Sequence, residues 1–461
     1  MIRAAYADEV TPPVEPSATE PSATGPDAAG PDAAGPGAAG PSAAARTALD
    51  LTADLPLPAL EDLYRDLHRH PELSAREHRT AGVLAGRLRE AGYETAEGVG
   101  GSGGPGVVGV LRNGDGPTVL LRGDMDALPV TEETGLPYAS ENPGVMHACG
   151  HDLHVTWLTG AAGALAAGRD TWSGTLLVVG QPAEETGTGA AAMVADGLYE
   201  RFPRPDVLLA QHAAPGPTGL FAHTPGLIMS ASTDVDIVVH GVGGHGSRPE
   251  ATVDPVVTAA YIVTRLQSVV SREIAARESA VLTVGRIEAG TRHNIIPSEA
   301  RIFLNLRTQS AEVRERMLAS IRRIAAGECA AAGCPREPTV TVSGSFPVTV
   351  NDADTDRRVA AVHGEVFGAG TVLDFGPVMG SEDFPLLAEG GAGGTLPYAY
   401  WFVTSTPAEV WNAAAAGAGG DLLEQLAAVP SNHSPHFAPD LATVGPGVRT
   451  LVSGALEMFA G

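Results

Sequence analysis

The sequence predicts a mixed α/β fold with a mostly parallel sheet and a smaller α+β unit inserted into it. Short apolar runs alternate with helical segments, which is typical of a parallel sheet. Acidic and histidine clusters follow several of these runs, as expected where a site forms at one sheet edge. Residues 233–343 change to a β-α-β-β-α-β order, which predicts a compact sandwich before the chain returns to the first pattern.

Length and repeats predict two domains and a tail within the 461 residues. Residues 16–45 are six pentapeptides that each begin with proline, and such a segment cannot bury a core. We therefore expect a disordered tail over 1–45. The first domain is expected over 46–232 and 344–461, and the inserted domain over 233–343.

Composition excludes several classes of function. The net charge of −25 argues against nucleic-acid and anionic-membrane partners. All 29 basic residues are arginine, which excludes a Schiff-base, pyridoxal-phosphate or P-loop lysine. The apolar runs are shorter than a transmembrane helix, and the N-terminus lacks the apolar h-region of a secretory signal. The three cysteines are too few for a disulfide framework. We therefore expect a cytoplasmic location.

The first helical pattern covers residues 57–92 and is interrupted at Pro71. His68 and His70 precede that proline. Two histidines at this spacing could bind a metal, but we expect them to lie at a helix end.

Polar clusters follow three predicted strands of the first domain. Asp124 and Asp126 follow the strand at 118–121, Glu184 and Glu185 follow the strand at 175–180, and His212 follows the strand at 206–210. A further strand is expected at 107–111. Because sites form at the carboxyl ends of parallel strands, these side chains are expected to meet.

The segment from Met146 to His154 contains three histidines, a cysteine and an aspartate, and a helix is expected to follow it through about Ala167. Cys149 and His151 are separated by one glycine and can face one point, and thiolate and imidazole are common zinc ligands. A buried cysteine near a helix start is the simpler interpretation. A cysteine hydrolase is a further alternative, but an i, i+2 pair seldom brings a thiol and its base together. The neighbouring acidic clusters favour a metal site.

The inserted domain is predicted to contain strands at 233–240, 280–288, 300–308 and 339–343, and helices at 255–272 and 311–332. His245 lies in a glycine-rich turn after the first strand. Two further polar segments follow residue 344: Met379-Gly380-Ser381-Glu382-Asp383, and residues 431–437, which include His433. In isolation, each of these two segments would be interpreted as a loop or a capped helix start.

Seven motifs together resemble a known family: MHACGHD, QPAEE, the QH pair at 211–212, GVGGHGSRP, NIIP, MGSED and NHSP. Residues 57–460 are similar to the aminoacylase/carboxypeptidase metallopeptidases, in the branch of hippurate hydrolases and auxin-conjugate amidohydrolases (N-acyl-L-amino-acid amidohydrolases). The resemblance implies a zinc-peptidase-like catalytic domain and an inserted lid and dimerisation domain. It also implies a homodimer in which His245 serves the partner's site.

The resemblance implies a site with two divalent metal ions. Zinc or manganese are the expected ions, and cobalt or nickel would also fit the mixed ligands. The resemblance implies that the metal ligands are Cys149, His151, Glu185, His212 and His433. It implies that Glu184 is the general base and that Asp126 orients a ligand. It also implies that His245 and Asn294 contact the substrate. Arg292 could hold a substrate carboxylate. His436 departs from the branch, which more often has an aromatic residue there.

The expected reaction is hydrolysis of N-acyl amino acids to a carboxylic acid and an amino acid. A dipeptidase or carboxypeptidase on the same scaffold is the nearest alternative, although no acidic residue is evident for a free α-amino group. The second alternative is a non-catalytic, metal-binding relative, and the intact Glu184 argues against this alternative.

Overall fold

A mixed eight-stranded sheet and a separate four-stranded sheet organise the computed structural model, which describes residues 40–101, 104–390, 394–418 and 421–460. The strands are β1 (Glu94–Val99), β2 (Gly106–Asn113), β3 (Thr118–Asp124), β4 (Gly174–Gln181), β5 (Val207–Pro217), β6 (Phe221–His223), β7 (Gly226–Met229), β8 (Ala231–His240), β9 (Gly244–His245), β10 (Ala280–Ala289), β11 (Ile295–Ile296), β12 (Glu299–Thr308), β13 (Thr339–Phe346), β14 (Thr349–Asn351), β15 (Val372–Asp374) and β16 (Tyr398–Thr406). The helices are α1 (Ala43–Leu51), α2 (Leu57–Arg69), α3 (His78–Glu90), α4 (His151–Ala167), α5 (Gly189–Ala195), α6 (Leu198–Arg201), α7 (Pro255–Ser268), α8 (Ala311–Ala332), α9 (Ala353–Phe367), α10 (Pro385–Glu389), α11 (Ala408–Gly417), α12 (Leu422–Ala428) and α13 (Val444–Phe459).

The large sheet has the strand order β1-β2-β4-β3-β5-β16-β6-β15. Its centre is parallel, since β3 pairs in parallel with β4 and β5, and β5 with β16. Antiparallel pairing joins β1 and β2 on one side and attaches β6 to β16 on the other. The predicted mixed α/β class with a mostly parallel sheet is confirmed.

Helices cover both faces of this sheet, which explains why β3 and β4 are almost continuously apolar. Helix α4 packs against β3 of the sheet and against α13, and most of its residues are buried. Its Trp157 donates a hydrogen bond from Nε1 to the Thr443 carbonyl at 3.0 Å. This packing fixes the start of α4, where His151 lies.

The four-stranded sheet is antiparallel in the order β10-β12-β8-β13, and α7 and α8 pack with it around a core of its own. The strands and helices follow one another in the expected β-α-β-β-α-β order. Strand β8 begins at Ala231 and β13 ends at Phe346, slightly outside the expected limits of 233 and 343. Those domain limits stay a prediction.

Helix α1 overlaps the end of the expected tail. Ser42 caps it by accepting a hydrogen bond from the Ala45 amide, and Ala45 and Ala48 are fully buried. Residues 43–45 therefore belong to the fold, because three small apolar side chains suffice to pack the helix against α13. Residues 1–39 lie outside the described residues. In the described part of the chain, every helix is too short or too polar to span a membrane.

The break expected at Pro71 separates α2 from α3, and His68 is buried in the last turn of α2. Its Nδ1 lies 2.7 Å from Asp152 Oδ2, and its Nε2 lies 3.2 Å from Glu132 Oε1. Both ring nitrogens are therefore used by carboxylates. His68 links α2 to α4, and no contact in the described structure brings it to a metal cluster.

We predict that His68 stabilises the fold in a pH-dependent way. Burial lowers its pKa, but the hydrogen bonds to Asp152 and Glu132 outweigh burial and raise the pKa from 6.5 to about 9. Because the pKa is raised in the folded state, the stabilisation is complete below about pH 6.5 and is lost as the pH rises through about 9. His68→Gln should lower the free energy of unfolding by on the order of 3 kcal/mol more at pH 6 than at pH 10.

Chemical denaturation at the two pH values measures this difference. His70→Gln, at the half-exposed end of the same helix, is the matched control substitution. A His68→Gln effect of equal size at both pH values would contradict the charged-pair account.

Candidate metal centre

The centre forms where β3, β4 and α4 meet. β3 ends at Asp124 and β4 at Gln181, so the chain delivers Asp126 and the Glu184–Glu185 pair to one edge of the sheet. Gly150 precedes α4 with a φ of 92° and lets Cys149 and His151 face the same point. A Cβ at Gly150 would lie 3.1 Å from Ala213 Cβ, so a larger residue there would also crowd β5.

His212 lies inside β5, and not after a strand end as expected. The expectation was wrong because β5 continues to Pro217 along its parallel partner β16, where His212 pairs with Phe402. His212 Nδ1 donates to the Ala213 carbonyl at 2.7 Å. That hydrogen bond leaves Nε2 facing Cys149 Sγ at 3.5 Å.

The five expected ligands come together in the structure. The ligand atoms of Cys149, Glu185 and His433 lie within 4.8 Å of one another, and those of His151, Glu184 and Glu185 form an overlapping group. His433 Nε2 is 3.4 Å from Glu185 Oε1, and His151 Nε2 is 3.9 Å from the same oxygen. Glu185 is thus shared between the two overlapping groups, an arrangement that suits two neighbouring metal ions.

Asp126 orients the ligands around it. His151 Nδ1 lies 3.2 Å from Asp126 Oδ1, which fixes the direction in which Nε2 points. The Glu184 amide donates to Oδ1 at 3.1 Å and the Glu185 amide to Oδ2 at 3.0 Å. Ser74 Oγ donates to Oδ2 at 2.7 Å. One carboxylate therefore sets the positions of a histidine ligand and of both adjacent glutamates.

Two buried atoms at the centre have no hydrogen-bond partner among the residues that the structure describes: His151 Nε2 and Glu185 Oε1. Burying such atoms unpaired is costly, so a bound cation is the natural partner. Sulfur, imidazole nitrogen and carboxylate oxygen are the donors that zinc and similar divalent ions accept. The residues therefore fit divalent metal ions.

The family profile described as peptidase family M20/M25/M40 matches residues 120–415. The chain belongs to this family. The hippurate hydrolase of Campylobacter jejuni is 39% identical over 332 residues, which is 71% of this chain and 85% of that protein. Thermostable carboxypeptidase 1 of Saccharolobus solfataricus is 37% identical over 324 residues, 69% of this chain and 80% of that protein.

Solved structures agree with this assignment. A putative aminohydrolase from methicillin-resistant Staphylococcus aureus superposes with a TM-score of 0.75 at 28% identity, covering 90% of this chain and 99% of that one. A dinuclear metal-binding M20 peptidase from Bacillus subtilis gives a TM-score of 0.68 at 26% identity, covering 88% and 98%. The expected family, fold and hydrolase class are confirmed.

Asp124 and His154 adjoin this M20 centre, and the sequence analysis gave them no role. Their potential ligand atoms cluster with those of His151 and His212. However, His154 Nδ1 lies 2.5 Å from Asp124 Oδ1, and His154 Nε2 accepts the Ala213 amide at 2.8 Å. With both ring nitrogens used, His154 supports Asp124. The i, i+3 spacing of His151 and His154 on α4 was the sequence pattern that could have indicated that His154 lies beside the centre.

A cavity of about 680 Å³ opens beside the centre and includes Cys149, Glu184, Glu185, His212 and His433 in its lining. Burial, followed by the Glu382 and Glu185 carboxylates, raises the pKa of Glu184 well above its ordinary value. Arg307, from β12 of the inserted sheet, also lines the cavity and was missed by the sequence analysis. It is one of two arginines on its strand, so no local sequence pattern distinguished it.

His245, Asn294 and Arg292 lie together on the inserted part but not at this cavity. β9, which contains His245, pairs with β11 next to Asn294. All three side chains are exposed, and none belongs to the cavity lining. The His245 ring nitrogen Nδ1 accepts from Ser247 Oγ at 2.7 Å. The expected substrate contacts of these residues therefore stay a prediction.

We predict that Asp126→Asn weakens metal binding about 10- to 100-fold. Asparagine has one acceptor oxygen, so its amide nitrogen would face the backbone N–H of either Glu184 or Glu185. Competition with a chromophoric chelator measures the affinity, and circular dichroism checks the fold. The exposed Asp115→Asn variant is the control. Wild-type affinity in Asp126→Asn would show that Asp126 does not position the ligands.

Proposed function

We propose that the protein hydrolyses the amide bond of N-acyl amino acids and releases a carboxylic acid and a free amino acid. The observation that supports this most is one shared cavity. It joins Glu184 and the ligand cluster to the guanidinium of Arg307. Amide-bond hydrolysis needs a general base such as Glu184 and a metal site such as the ligand cluster. The Arg307 guanidinium suits the carboxylate of an amino-acid substrate.

Bound divalent metals would supply Lewis acidity, polarising the scissile carbonyl and lowering the pKa of a water molecule. Cys149, His151, Glu185, His212 and His433 are the residues that would hold them. Two ions are proposed because Glu185 belongs to two overlapping ligand groups, and because Cys149, in one of these groups, also lies 3.5 Å from His212 Nε2. Zinc or manganese are the proposed ions, with cobalt or nickel as alternatives of similar ligand preference.

Glu184 is the proposed general base and then general acid. Its backbone is held by Asp126, while its neighbour Glu185 faces His433 and His151. The adjacent glutamates can therefore divide two roles, in which Glu185 binds metal and Glu184 moves a proton. Glu184 would take a proton from the attacking water and deliver it to the leaving nitrogen.

Arg307 is the proposed partner of the substrate carboxylate. Its Nη1 donates to Ser381 Oγ at 2.8 Å and to the Met379 carbonyl at 3.3 Å, which fixes the guanidinium. Among the residues that the structure describes, no acidic side chain forms an ion pair with it, so its charge is available in the cavity. Arg292, the residue expected in this role, is exposed on the insert.

The alternatives receive less support from the same cavity. A dipeptidase would need an acidic group for the α-amino end, and Glu184 and Glu185 are the only carboxylates in the described lining. A cysteine nucleophile would need a low thiol pKa, whereas burial and then the Glu185 and Glu184 carboxylates raise the pKa of Cys149. A non-catalytic relative would not need Glu184.

The deciding experiment is a hydrolysis screen of N-acetyl, N-benzoyl and indole-acetyl amino acids with zinc, manganese, cobalt or nickel. Each compound is paired with its carboxamide, which Arg307 cannot bind as an ion pair. We expect Glu184→Gln to lower kcat by at least about 10³-fold at unchanged metal content, since the base is lost. The exposed Glu90→Gln is the control. Substantial turnover by Glu184→Gln, or equal rates for acids and carboxamides, would contradict the proposal.

A homodimer through the inserted part is also proposed. Strand β10 is the edge of its sheet and exposes Val281 and Ile287, while α7 exposes Val257 and Tyr261. An exposed apolar edge strand is a ready surface for pairing with a second chain. Such a dimer would give His245 a route to the partner's cavity, where an imidazole could stabilise the oxyanion.

Mixed dimers test the role of His245. His245→Ala alone should lower kcat by about 10²-fold, as for loss of one oxyanion donor, with metal content unchanged. Mixing His245→Ala with Glu184→Gln chains should recover activity, because one hybrid site contains both intact groups. Differently tagged chains allow purification of the heterodimer. A confirmed heterodimer without recovery would contradict a role in the partner's site.

A further inference from the structure

One wall of the cavity is a row of side chains that crosses four strands of the large sheet. His212 on β5 pairs with Phe402 on β16, Phe402 pairs with Ala222 on β6, and Ala222 pairs with Leu373 on β15. Residues paired in register place their side chains on the same face of a sheet. All four belong to the cavity lining. The row therefore begins at a proposed metal ligand and continues with three apolar residues.

The strand spacing gives the length of this row. Neighbouring strands lie about 4.8 Å apart, so Leu373 is about 14 Å from His212. An extended chain advances about 1.2 Å per bond. An acetyl group would cover only the beginning of the row, at Phe402, and roughly twelve carbons are needed to reach Leu373.

The far end of the row is apolar and open to solvent. Leu373 and Phe375 are 39% and 49% exposed, and Leu422 of α12, which lines the same cavity, is 53% exposed. Trp411 of α11 completes this group. Large apolar side chains gathered around one cavity mark a surface that an apolar ligand covers.

We propose that this row binds an extended apolar acyl chain of roughly ten to twelve carbons. The inference rests on the proposed amidase function, because it places the scissile carbonyl at the metal centre near His212. The substrate carboxylate is held by Arg307, which is anchored on Ser381 and Met379, so the row that leads from His212 to Leu373 is left for the acyl group.

The test compares acyl chains of increasing length on one amino acid: acetyl, hexanoyl, decanoyl and tetradecanoyl. For the metal-loaded enzyme, kcat/KM should rise up to about fourfold per methylene and level off near about twelve carbons, where the row ends. Equal or falling values from acetyl to decanoyl would overturn the proposal.

Two substitutions test whether the acyl chain of the substrate lies along this row. Ala222→Phe fills its middle and should lower the decanoyl-to-acetyl ratio of kcat/KM by at least about 10²-fold, since a phenyl ring blocks the path. Leu373→Ser should lower the ratio about fivefold by removing the apolar end. Leu57→Ser is the control, since Leu57 has similar exposure and lies outside the cavity lining. An unchanged ratio in Ala222→Phe would overturn the assignment.

Binding separates this inference from the proposed activity. Calorimetry with the Glu184→Gln variant gives the Kd of each amide without turnover. If no amide is hydrolysed by the wild type but Kd falls with chain length and Ala222→Phe abolishes the trend, the activity is wrong and the acyl row stands. If acetyl and decanoyl amides react and bind alike, the activity stands and the acyl row is wrong.

Discussion

A cluster of buried carboxyl groups at one edge of the large sheet is the constraint on which the centre depends. Asp124, Asp126, Glu184, Glu382 and Asp383 are all buried there. Ionised carboxylates cannot be buried without cations or hydrogen-bond donors. The fully buried Arg122 guanidinium donates to Asp124 Oδ2 at 2.7 Å and to Glu382 Oε1 at 2.8 Å, and so balances the part of the cluster behind the ligands.

The division of this charge explains why neighbouring acids act differently. Carboxylates behind the ligands have filled contacts: Glu382 also accepts from Tyr400 Oη at 2.8 Å, and Asp383 Oδ2 accepts the Ala190 amide at 3.1 Å. On the cavity side, Glu184 and Glu185 have no arginine partner among the described residues, and Glu185 Oε1 has no hydrogen bond. Divalent ions would complete the balance on that side only, leaving Glu184 free to exchange a proton with substrate.

Much of the centre could be predicted from the sequence because its residues lie close together within short motifs. Cys149 and His151, or Glu184 and Glu185, reach the same point through one turn of chain. His212 was placed wrongly because the length of β5 depends on β16, which lies about 190 residues later in the chain and continues the hydrogen bonding. Arg307 was missed because Arg301 on the same strand has a similar local pattern, and only tertiary contact with Ser381 distinguishes them.

Backbone strain lies where the chain must turn ligands inward. In the part of the chain described, the non-glycine residues with positive φ are Ala75 (63°), Ala183 (53°) and His433 (70°). Ala75 follows Ser74, which donates a hydrogen bond to Asp126; Ala183 precedes Glu184; and His433 is one of the proposed ligands. Each such residue costs about 1–2 kcal/mol, so other contacts must hold it. The Ala183 amide donates to Glu77 Oε1 at 2.7 Å, and the His433 amide donates to the Ala148 carbonyl at 2.7 Å. The fold thus uses hydrogen bonds from distant segments to maintain the conformations that assemble the centre.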